Sequence, residues 1–118
     1  KGKISVIAFM NTGCPDCRKE LPEIEKAYQQ FRDDESIRFI AISRSQGYES
    51  LTDYWIKNAF TLPYSAQEDD FIFQKFASQN IPRIYIASPE GIIVFASDDS
   101  YIVTTEIIVE QINGITGK

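Results

Sequence analysis

The chain has 118 residues, 43% hydrophobic and 25% charged, with a formal net charge of -5. That is one domain's worth of an ordinary globular protein, long enough to build its own hydrophobic core, and a single domain over 1–118 is expected. The acidic balance and the lack of a basic patch exclude nucleic acid as a partner, and no apolar run reaches the length of a membrane span.

Lys1-Gly2-Lys3 runs straight into an apolar segment, with nothing resembling a signal peptide ahead of it; a processed chain would look the same. Ile4 to Met10 is almost continuously apolar, as expected of a strand buried on both faces. Asn11-Thr12-Gly13 reads as a turn. A helical pattern follows, with Leu21, Ile24, Tyr28 and Phe31 on one face, a bend expected at Pro22, and an end at Asp33-Asp34-Glu35-Ser36. Ile37 to Ser43 is a second buried strand, which makes a right-handed strand–helix–strand unit with parallel strands. Glu49 to Phe60 and Asp69 to Gln79 read as helices, the first with Leu51, Tyr54 and Trp55 on one side. Ile81-Pro82 marks a break. Arg83 to Ser88 and Ile92 to Ser97 form a hairpin across Pro89-Glu90-Gly91. Thr104 to Asn113 closes the chain as a helix, with Asp98-Asp99-Ser100 as turn and cap and Gly114 as its stop. The expected fold class is α/β: a mixed four-stranded sheet flanked by helices on both faces.

The chemistry lies in Cys14-Pro15-Asp16-Cys17, where a buried strand hands over to a helix. The chain has two cysteines and no histidine, which removes Cys-His and Ser-His-Asp catalysis and leaves too few ligands for a zinc or iron–sulfur cage. No cofactor and no metal is expected. A disulfide that serves only as a staple normally closes a longer loop, so this spacing favours redox chemistry. With Cys14 at the helix N-cap and Pro15 at the first helical position, free N–H groups and the helix dipole favour a thiolate at Cys14. Cys17 is one turn further on and deeper. Cys14 is therefore the expected nucleophile and Cys17 the resolving thiol. Asp16 puts a like charge near that thiolate, which points to a reductant rather than a strong oxidant.

The stretch from Ile4 through Cys14-Pro15-Asp16-Cys17-Arg18-Lys19-Glu20-Leu21-Pro22 resembles the thioredoxin superfamily, in particular its TlpA/ResA-type thiol–disulfide oxidoreductases. Cys14, Pro15, Cys17, Arg18, Glu20 and Pro22 match that family's motif, and Asn80-Ile81-Pro82 resembles its cis-proline loop. The resemblance implies a thioredoxin fold lacking the usual N-terminal extension, so a trimmed or minimal form. It also implies that Pro82 lies beside the cysteines and that Ile81 offers its backbone to an extended substrate, with Gly13 and Pro15 flanking the nucleophile. The implied partners are a disulfide-containing protein substrate and an upstream thiol electron donor, and the implied location is the bacterial cell envelope or periplasm.

Three departures stand out. Gly13 occupies the family's usual tryptophan position, and Met10 that of another aromatic. Ser43-Arg44-Ser45 carries no carboxylate where the family often has one to help deprotonate the resolving thiol, which leaves Glu49 as the nearest candidate in sequence. Arg44 is expected to be an exposed loop cation. Glu68-Asp69-Asp70 is read as a helix start rather than a metal site, and Trp55 as core-facing. Two other functions compete with disulfide exchange. One is a non-catalytic thioredoxin-fold module that binds a partner or Cu(I) through two thiolates. The other is a peroxiredoxin-like peroxidase, disfavoured because Asn11 and Cys14 stand where its motif needs Thr or Ser three residues before the reactive cysteine.

Overall fold

The computed structural model describes residues 2–11, 13–43, 48–65, 83–97 and 102–117, with the backbone alone for Tyr48 and Arg83. The expected helix at Asp69–Gln79, the acidic run Glu68-Asp69-Asp70, Arg44, Ile81-Pro82 and Asp98-Asp99-Ser100 lie outside them.

The elements are β1 (Ile4–Met10), α1 (Pro15–Phe31), β2 (Ile37–Ser43), α2 (Tyr48–Lys57), β3 (Tyr64–Ser65), β4 (Arg83–Ala87), β5 (Ile93–Ala96) and α3 (Thr105–Thr116). The sheet has five strands in the order β3-β2-β1-β4-β5, one more than expected. The extra strand is only Tyr64-Ser65, parallel to β2 at Ala41 and Ile42. A two-residue strand leaves no alternating pattern to read, so its pairing is visible only in three dimensions. Strands β1 and β2 run parallel, and the β4–β5 hairpin is antiparallel to β1 through β4.

Period-two alternation sorts the sheet's side chains onto two faces. Ile4, Val6, Ala8 and Met10 of β1 share one face with Phe39, Ala41, Ile84 and Ile86. That face meets Cys17, Leu21 and Ile24 of α1 and Ile108 and Ile112 of α3 in one buried core. Phe9 points the other way and packs edge-on against Tyr85, with centroids 6.1 Å apart. This is why β1 reads as a continuous apolar run: both of its faces are covered.

Helix α1 continues through Pro22 as a single element to Phe31. Helix α2 stops at Lys57, three residues short of the expected Phe60. The Phe60 N–H bonds to the Trp55 carbonyl and the Ala59 N–H to that of Ile56, with Ala59 left-handed at φ 56°. That pattern is a Schellman C-cap. Trp55 is buried and donates its indole N–H to the Leu62 carbonyl at 2.7 Å, a core role. Helix α3 passes through Gly114, the expected stop, to Thr116. It ends at Gly117, whose φ of 80° and N–H bond to the Asn113 carbonyl make the cap. At its other end the Thr104 hydroxyl accepts the Ile107 N–H at 3.3 Å. Thr104 thus serves as the N-cap of that helix.

Candidate active site: a dithiol at a helix start

Strand β1 delivers the chain to the site already buried: Phe9 and Met10 are 0% and 1% exposed. Met10 therefore contributes to the core and not to a docking surface. The chain then turns. The Asn11 side-chain oxygen accepts the Gly13 N–H at 2.7 Å, and the Asn11 carbonyl accepts the Cys14 N–H at 3.0 Å. An Asx-type turn of this kind reverses direction within a few residues.

Cys14 is the N-cap of α1, with extended φ and ψ of -88° and 120° and Pro15 as the first helical residue. Its carbonyl accepts the Arg18 N–H at 3.0 Å, the first bond of the helix. Its sulfur takes the place of the usual capping oxygen and accepts the Cys17 N–H at 3.3 Å. A donor and the positive end of the helix are thus aimed at that sulfur. Cys14 is half-buried and Cys17 fully buried. Gly13 and Pro15 are exposed on either side of Cys14.

Burial pushes the Cys17 thiol well above the ordinary thiol range. The neighbouring Cys14 sulfur and the Glu20 carboxyl push it the same way, while a hydrogen bond from the Asn11 backbone amide opposes them.

Glu20 lies one turn beyond Cys17 and is 1% exposed. Ser43-Arg44-Ser45 carries no carboxylate, whereas Glu20 buries one on α1. Glu49 is exposed on α2. Glu20 Oε2 accepts the Val103 N–H at 2.8 Å, just ahead of α3. Its other oxygen meets no hydrogen-bond donor among the described residues. Burial lifts its pKa to about 7; the Val103 N–H holds it down in part, and the Asp16 charge raises it further. Sequence reasoning matched Glu20 to a family motif but gave it no role, because glutamates are rarely buried unpaired. The available signal was helical spacing: Glu20 falls on the same stripe as Cys17, Leu21 and Ile24.

Two further residues border the site. Tyr54 of α2 is half-buried, and burial raises its pKa, with Arg18 and Cys17 as the charges it feels. Glu23, one turn below Glu20, accepts the Thr105 N–H at 2.9 Å and its hydroxyl at 2.8 Å. Two carboxylates on α1 thus hold the start of α3. Among the described residues no three His, Cys, Asp or Glu side chains group as metal ligands.

The fold and this dithiol define a class, the thioredoxin-like proteins with a Cys-x-x-Cys pair at a helix start. Comparison narrows it: residues 1–96 match the AhpC/TSA family, and the chain belongs to that family. Within the thioredoxin superfamily it is of the TlpA/ResA type. It is 23% identical over 94 residues to sporulation thiol-disulfide oxidoreductase A of Bacillus subtilis (strain 168), covering 77% of this chain and 56% of that protein. It is 21% identical to thiol-disulfide oxidoreductase ResA of the same organism, covering 80% of this chain and 52% of that protein. The chain thus spans little more than half the length of the curated relatives it matches. Among solved structures, that of a candidate protein disulfide isomerase from Bacteroides thetaiotaomicron superposes with a TM-score of 0.90 at 27% identity, covering 100% of this chain and 76% of that one.

Proposed function

We propose that the protein is a thiol–disulfide oxidoreductase that reduces disulfides in protein partners, with Cys14 as nucleophile and Cys17 as resolving thiol. One observation carries this reading. The sulfur of half-buried Cys14 caps the helix and accepts the Cys17 N–H, while Cys17 is fully buried with a carboxyl of pKa about 7 one turn away.

In the first step the Cys14 thiolate attacks one sulfur of the substrate disulfide and displaces the other as a thiolate. Resolution then needs an ionised Cys17, which burial opposes. The Glu20 carboxylate accepts the Cys17 proton. The Cys17 thiolate attacks Cys14 sulfur, the Cys14–Cys17 bond forms, and the substrate's second sulfur leaves as a thiolate. A carboxyl of pKa about 7 is matched to taking and returning that proton near neutral pH.

Exposed Gly13 and Pro15 offer the partner a low surface beside Cys14. The family resemblance adds Ile81 as the backbone edge for an extended substrate and Pro82 beside it. An upstream thiol donor that re-reduces the pair, and a place in the bacterial cell envelope, belong to the same proposal. Among the described residues no helix is long and apolar enough to cross a membrane.

The test is a trapping series. Reduced wild-type protein should reduce a disulfide-bonded model protein, Cys14→Ser should abolish the reaction, and Cys17→Ser should accumulate a mixed disulfide through Cys14. Equilibration with glutathione buffers gives the direction, and a potential nearer that of thioredoxin than that of DsbA is expected (about -270 against -120 mV). No trapped adduct, together with tight Cu(I) binding or direct peroxide consumption, would overturn the assignment.

A further inference from the structure

We propose that the Asn11 side chain is a positioning group for the dithiol, acting as a matched pair with Gly13. The proposal rests on the exchange reading above and concerns its second step.

Three contacts converge on Asn11. Its side-chain oxygen closes the turn on the Gly13 N–H at 2.7 Å, and its carbonyl holds the Cys14 N–H at 3.0 Å. Its own backbone N–H donates to the Cys17 sulfur. One residue therefore sets the entry of the nucleophile and gives the buried thiol a donor that survives ionisation. A backbone N–H aimed at a sulfur favours the thiolate, and here it works against the burial that suppresses it.

The side chain is what holds that backbone in place. Asn11 follows the last residue of β1, and its side-chain oxygen closes the turn on the Gly13 N–H. Gly13 completes the pair: a Cβ there would lie 3.1 Å from the Asn11 side-chain oxygen, closer than ordinary contact. Any larger residue pushes on the oxygen that accepts its own N–H. With glycine in place of the resembled family's tryptophan, the asparagine oxygen closes the turn without having to give by the few tenths of an ångström that a Cβ would demand.

The test uses an aromatic disulfide that releases a coloured thiolate, the symmetric disulfide of thionitrobenzoate, in single turnover on the full chain. Cys14 attack releases the first equivalent, and Cys17 resolution of the resulting mixed disulfide releases the second. Asn11→Ala should slow the second phase about tenfold at neutral pH, as a one-unit rise in the Cys17 midpoint requires, and move its pH profile upward accordingly. The first phase should stay within about twofold. Asn11→Ser, whose hydroxyl makes the same turn more weakly, should recover part of the rate. Gly13→Ala should slow the second phase without altering Asn11. An Asn11→Ala protein with a wild-type second phase and pH profile overturns the proposal. So does equal slowing of both phases with no recovery by serine, which would mark a merely structural role. A wild-type protein that releases only the first equivalent refutes the exchange reading itself, a result distinct from any ratio between variants.

Discussion

Glu20 concentrates the residue-scale argument. A carboxyl at 1% exposure with one oxygen bonded to a backbone N–H and the other unmatched among the described residues is costly to hold ionised. In the proposed exchange that cost is useful, because a poised carboxyl one turn from a buried thiol takes and returns the Cys17 proton. Glu20→Gln keeps an oxygen for the Val103 N–H but accepts no proton. The resolution step should slow by roughly a hundredfold, the lower end for a positioned proton acceptor. Its dependence on a group of pKa about 7 should disappear. Stopped-flow measurement of resolution between pH 5.5 and 8.5 checks both, and an unchanged pH profile would remove Glu20 from the mechanism. The cysteines themselves were legible, since the Cys-Pro-x-Cys spacing after a buried strand states its own chemistry. Glu20 was not, because residue type argued for the surface while its helical position argued for the core. Asn11 was legible as part of a turn, but not as the residue whose side-chain oxygen closes it, because which atoms meet is a matter of geometry that composition does not encode.

At the scale of elements, periodicity located most of the framework and turn chemistry decided the ends. Strand Ile4–Met10 matches the expected bounds because a run covered on both faces is continuous in sequence, and Ile37–Ser43 matches because its apolar residues are broken only by exposed Arg38. The ends of α2 and α3 were misplaced because capping depends on which residue enters the left-handed region. In α3 that is Gly117, so Gly114 is simply tolerated inside the helix. In α2 it is Ala59, an alanine doing a glycine's work at φ 56°. The cap holds because Phe60 packs edge-on against Trp55 at 5.3 Å, the apolar contact that accompanies this motif. Ala59→Gly should therefore stabilise the protein by about 1 kcal/mol, the penalty for an L-residue in that region. Urea unfolding measures it, and a loss of stability would mean that the loop tolerates alanine without strain. The same turn is tied to α1 by Glu25, whose carboxylate accepts the Thr61 N–H at 3.0 Å and the Leu62 N–H at 2.9 Å. Glu25→Ala should cost about 1–2 kcal/mol, since two backbone donors lose a charged acceptor at a site water can partly reach. A change within experimental error would show that water replaces the carboxylate fully.

For the whole molecule, the buried carboxyl couples stability to pH with an unusual sign. Surface and paired carboxylates normally have depressed pKa values and stabilise the fold as pH rises. Glu23, bonded to Thr105, belongs to that class, but it is solvent-screened and its contribution is small. Glu20 is raised from 4.5 to about 7, so between those values the native state holds a proton that the unfolded chain has released. Stability then falls as pH rises through that window, at up to about 1.4 kcal/mol per pH unit. From pH 5.5, kept clear of the pI near 4.7, to pH 8, the loss amounts to about 2 kcal/mol as an upper bound. Glu20→Gln cannot titrate, so its stability should be nearly level across the same interval. Across this interval wild type and variant should be closest at pH 5.5, where Glu20 is mostly neutral, separate as pH rises through about 7, and keep a nearly constant gap above that, with the variant the more stable. Urea denaturation at both pH values provides the comparison. A wild-type chain as stable at pH 8 as at pH 5.5, with the variant parallel to it, would show that Glu20 is solvated when ionised, and its coupling to Cys17 would lose its physical basis. A gap that opens between pH 5.5 and about 7 and stays level above would show instead that the ionised carboxylate needed for resolution is held against the stability of the fold, on the helix that Cys14 caps and Cys17 lies in.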